Sequence, residues 1–93
     1  MNINIGELKV LQYRLAAKVK CSGLIREYKD IILNAIAEVT MPLAVYANKS
    51  KDIIKAEFIG KVAGKAGSEL KKLGLHPLKI EKILAVIKKQ DIL

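Results

Sequence analysis

The chain has 93 residues, a formal net charge of +8, and a composition that is 52% hydrophobic but only 4% aromatic. That length holds one domain (residues 1–93) with an aliphatic core of Ile, Leu, Val and Ala, and its single Cys and single His exclude an intramolecular disulfide and a Cys/His zinc cluster. The start of the chain lacks the pattern of a signal peptide, and the most apolar stretch, residues 31–47, is broken by Asn34, Glu38, Thr40 and Pro42, short of the roughly 20 apolar residues of a membrane span. A reducing, cytoplasmic location is expected.

The helical period dominates from end to end, so the expected fold is all-α: a compact bundle of four to five helices. The first helix should run over residues 5–20. Asn4 can cap it, with Glu7 three residues on. Ile5, Leu8, Leu11, Leu15 and Val19 form its apolar stripe. The Cys21-Ser22-Gly23 step breaks it, and Ser22 is expected to cap the second helix. There Ile25, Tyr28, Ile32, Ala35 and Val39 recur at spacings of three and four, with Leu24, Ile31 and Ile36 widening the face. Pro42 ends or kinks that helix and can open a short one over residues 42–47.

Ser50 can cap a long third helix, with Asp52 near its positive end. Ile54, Phe58, Val62, Ala66 and Leu73 are its expected apolar face, and Gly74 its terminator. Residues 53–60 also read as a short strand, the alternative at this point. His76 and Pro77 then open a last helix with Ile80, Ile83, Leu84 and Ile87 inward.

Charge is uneven along the chain. Residues 49–93 carry eleven basic side chains, all Lys, against five acidic ones. Such a half attracts polyanions. Lys61, Lys65 and Lys72 fall within a narrow arc of the third helix, with Lys55 and Lys51 extending the rim, a spacing that can follow phosphates. The short Gly74 turn between the last two helices has the spacing of a helix-turn-helix, which would make Lys79, Lys82 and Lys89 contacts of a recognition helix. An ordinary helical hairpin fits the same turn.

Gly60, Gly64 and Gly67 share one side of the third helix with Ala56 and Ala63. A small-residue face of this kind permits close helix packing. The surplus of aliphatic residues on so short a chain points to a homo-oligomer.

No nucleophile, paired carboxylate or ligand cluster accompanies His76, and the phosphate-loop patterns are absent. No catalytic residue, metal, cofactor or small-molecule ligand is therefore expected. Two functions remain. One is a non-enzymatic nucleic-acid-binding protein, DNA before RNA, that contacts the phosphate backbone. The other is an adaptor or assembly subunit that docks a partner protein through its aliphatic and small-residue faces. One contiguous basic face favours the first; lysines scattered around an apolar groove favour the second.

Overall fold

The structure, a computed structural model, describes residues 5–39 and 50–88. Among them the regular structure is entirely helical: α1 (Ile5–Lys20), α2 (Arg26–Glu38), α3 (Lys51–Lys72) and α4 (Pro77–Lys88). The strand alternative at residues 53–60 gives way to the middle of helix α3. The Asn4 cap and the short helix at residues 42–47 lie outside the described residues.

Local chemistry sets most of the helix ends. Ser50 accepts a hydrogen bond from the Ile53 amide at 3.3 Å and so caps α3. Gly74 closes α3 with a φ of +79°, the left-handed conformation that glycine adopts without steric cost. His76 caps α4: its Nδ1 accepts from the Leu78 amide at 3.1 Å, and Pro77 fills the first helical position.

Ser22 departs from expectation. Its hydroxyl donates to the Val19 carbonyl at 2.6 Å and accepts from the Leu24 amide at 3.4 Å, so it closes α1 instead of opening α2. Lys29 adds to that closure by donating to the Lys20 carbonyl at 2.9 Å. Helix α2 consequently starts at Arg26 with no side-chain cap, and Ile25 sits before it in extended backbone. Ile25 therefore leaves the helical register and is 56% exposed, where the sequence pattern placed it inward.

The helices pack in a ring, α1 on α2, α2 on α3, α3 on α4 and α4 back on α1. At the centre lie Leu11, Leu15 and Val19 of α1, Ile32, Ala35 and Ile36 of α2, and Ile83, Leu84 and Ile87 of α4. Helix α3 contributes Ile54, Phe58, Val62, Ala66 and Leu70, each buried. These recur at every fourth residue, and since a helix turns about 100° per residue the row advances roughly 40° at each step. It winds around α3 because α3 faces α2 and α4 in turn. By the last turn the inward direction has moved past Leu73, which is 46% exposed, and Leu70 takes the place expected of it. Burying each large side chain of this row contributes about 1.5–3 kcal/mol relative to exposure.

Helix α4 folds back along α3. Gly60 and Lys88 line the same groove as Lys71 and Pro77, the arrangement of a helical hairpin.

Candidate functional site

The lysines singled out by sequence are distributed over several places. Lys61, Lys65 and Lys72 do share an exposed strip of α3, within about 40° of one another. Two of the three face carboxylates: Lys65 Nζ lies 2.7 Å from Glu38 Oε2, and Lys72 Nζ 3.1 Å from Glu69 Oε1. Lys55 is not part of the strip. It lies about 100° round the helix from Lys72, inside the arc that the winding core row crosses. Its side chain is only 16% exposed, with Nζ 3.9 Å from Asp52 Oδ1. Lys79 and Lys82 belong to a different surface, the flank of α4 nearest the start of α2. Lys89 and the Lys51 side chain lie outside what the structure describes.

The glycines separate in the same way. Gly67 packs closely, since a Cβ there would meet Leu84 Cδ1 at 3.4 Å, whereas at Gly60 and Gly64 it would meet nothing within 4 Å. The small-residue face is thus covered at Ala63 and Gly67 and open at Gly60 and Gly64. Gly60 and Gly64 floor a groove of about 630 Å³ between α3 and α4, bordered by Lys71, Glu81 and Lys88. Glu81 and Lys88 pair across 3.7 Å on its α4 side.

A second groove, of about 600 Å³, lies on the other flank of α4, where α4 begins beside the α1–α2 turn. Leu24, Tyr28 and Ile83 provide apolar lining, and Ile25 and Leu78 stand at it, 56% and 67% exposed. Lys79 and Lys82 border it, with Lys79 Nζ 5.8 Å from the centroid of the Tyr28 ring, a cation–π placement. Sequence reasoning missed this groove. The available signal was Leu78, an apolar residue left over once the inward positions of α4 had been assigned, with lysines at the next position and four further on.

Among the described residues no group of three or more His, Cys, Asp or Glu side chains could hold a metal ion, and no helix is long and apolar enough to cross a membrane. Cys21 is exposed and unbridged at the end of α1. His76 is engaged through Nδ1 as a helix cap. No family model, curated protein or solved structure matches the chain.

Proposed function

We propose that this protein is a non-enzymatic helical adaptor that docks a partner protein through grooves on its surface. One observation carries the reading: four of the described lysines border two apolar grooves on opposite flanks of α4, apart from the strip of Lys61, Lys65 and Lys72 on α3. Lys79 and Lys82 border one groove, Lys71 and Lys88 border the other, and Lys65 turns toward Glu38. A partner for such a surface combines apolar anchors with carboxylates. A reducing, cytoplasmic setting belongs to the same proposal, on the strength of the single, unbridged Cys21.

Selection of random peptides displayed on phage, with the full chain immobilised, tests it. Enrichment of acidic sequences with regularly spaced apolar residues is expected. A pool that shows no enrichment over a chain-free control overturns the adaptor reading.

Nucleic-acid binding, DNA before RNA, is the second reading. The observation favouring it is the net charge of +8 together with the exposed strip of Lys61, Lys65 and Lys72. The carboxylates beside Lys65 and Lys72 do not block it, because exposed ion pairs contribute only about 0–1 kcal/mol and phosphates can displace them. Lysines act as point charges, so this binding would follow the backbone without reading bases. Anisotropy titrations with duplex DNA, single-stranded DNA and RNA at low ionic strength test it, and absence of salt-sensitive binding to all three ends it.

Self-association is the third element of the proposal. The open groove floored by Gly60 and Gly64 is the surface on which a second copy would pack, and sedimentation across a concentration range reads it directly.

A further inference from the structure

We infer that the groove at the start of α4 is the docking site for an acidic amphipathic helix of a partner protein. Apolar residues of that helix would seat against Ile25 and Leu78, above the buried Ile83, and its carboxylates would meet Lys79 and Lys82. This inference rests on the adaptor reading above and gives it a location and a partner chemistry.

Three observations select the occupant. The first is charge. Lys79 and Lys82 border the groove and no carboxylate lines it, Glu81 standing beside Leu78 and Lys82 in the adjoining depression, so the groove itself favours an acidic partner. A second copy of a chain carrying +8 would bring more positive charge to that rim.

The second is apolar exposure. Leu78 is 67% and Ile25 56% exposed, on segments far apart in sequence that the fold brings to one groove. Covering both removes apolar surface from water, which an anchor side chain does and a phosphate backbone does not.

The third is shape. The groove is shallow and open to solvent, with residues 23–28 on one side and residues 76–83 on the other, a surface between two helical segments on which a further helix can lie. The recognition mode is a helix laid in a groove, with anchors at positions i, i+3 or i+4, and i+7. Lys79 is already held at the rim by the Tyr28 ring, so less side-chain freedom is lost when a carboxylate arrives.

The test uses the full chain with ¹³C-labelled Ile and Leu methyl groups. The probe is a synthetic peptide of about 15 residues, with Leu at the i, i+4, i+7 positions and Glu on its other face. Saturable shifts of the Ile25, Leu78 and Ile83 methyls are expected. Leu78→Ser should weaken binding about tenfold, the loss typical of a central anchor, and its exposure means that the variant keeps the fold. Lys79→Gln and Lys82→Gln should each weaken binding and reduce its salt dependence, while Gly64→Ala, in the other groove, should leave it unchanged.

If the shifts fall instead on the Leu84 methyls and Gly64→Ala alters affinity, the adaptor reading stands and this site is wrong. If the peptide moves no methyl while duplex DNA binds, the adaptor reading itself fails. If vesicles containing anionic lipid shift Leu78 and Ile25 and the peptide does not, the occupant is a membrane surface and the proposal is overturned.

Discussion

Lys65 of α3 reaches Glu38 at the end of α2, with Nζ 2.7 Å from Oε2, and so ties the two helices together just where α2 ends. The side chains are 44% and 59% exposed, so solvent screens the attraction. A double-mutant cycle with Lys65→Ala and Glu38→Ala should give a coupling of about 0.2–1 kcal/mol that shrinks as salt is added. A coupling several times larger would show that the pair is shielded from water.

The open space at Gly60 and Gly64 predicts stabilisation on substitution. Each Gly→Ala change there should add up to about 1 kcal/mol, because the helix gains propensity and the new Cβ meets nothing. Gly67→Ala should gain less, since its Cβ arrives against Leu84. Thermal melts at one protein concentration rank the three. Gly64→Leu should likewise leave an isolated chain folded. If it melts lower and also dissociates an oligomer in sedimentation, a second copy covers that groove.

The turn between α3 and α4 holds two position-specific residues. Gly74→Ala should cost about 1 kcal/mol or more, because a φ of +79° strains any residue with a Cβ. His76→Ala should cost about 0.5–2 kcal/mol by removing the acceptor for the Leu78 amide.

Phe58 is 1% exposed and the largest fully buried side chain described. Phe58→Ala should destabilise the fold by about 3–5 kcal/mol. Against a total stability of about 5–15 kcal/mol for a domain, that change should move the denaturant midpoint far down or leave the chain largely unfolded. A midpoint close to the parent's would mean that the winding row on α3 does not hold the core.

For the nucleic-acid reading, the decisive quantity is the salt slope. Replacing Lys61, Lys65 and Lys72 by Ala should flatten the log–log dependence on duplex DNA by about two to three units if all three touch phosphates. Lys55→Ala should leave the slope unchanged, given its largely covered side chain. A control removing Lys9, Lys18 and Lys20 of α1 should matter less than the α3 set. The reverse order would relocate the contact surface to α1.

Features written into a few neighbouring residues were legible before the fold was known. The break after Lys20, the Ser50 cap, Gly74 and the His76-Pro77 start all follow from local backbone chemistry, and all are found where the pattern places them. Ser22 was misread because a hydroxyl between two helices can serve either one, and the Val19 carbonyl lay within its reach. The exchange of Leu73 for Leu70, and the inward position of Lys55, depend on which neighbours α3 faces at each turn. That information is tertiary. The groove beside Leu78 was invisible for the same reason, since residues 23–28 and 76–83 meet only when the ring is complete.

The ring of helix contacts also has a kinetic consequence. Pairs α1–α2, α2–α3 and α3–α4 join neighbours in the chain, whereas α1–α4 spans almost the whole of it. Contacts between neighbours close small loops at little entropic cost, so these three pairs can assemble early. Bringing α4 onto α1 is then the step with the largest loop to close. A substitution at Leu15 or Ile87 should therefore slow folding only if that closure belongs to the transition state, and should otherwise appear chiefly as faster unfolding.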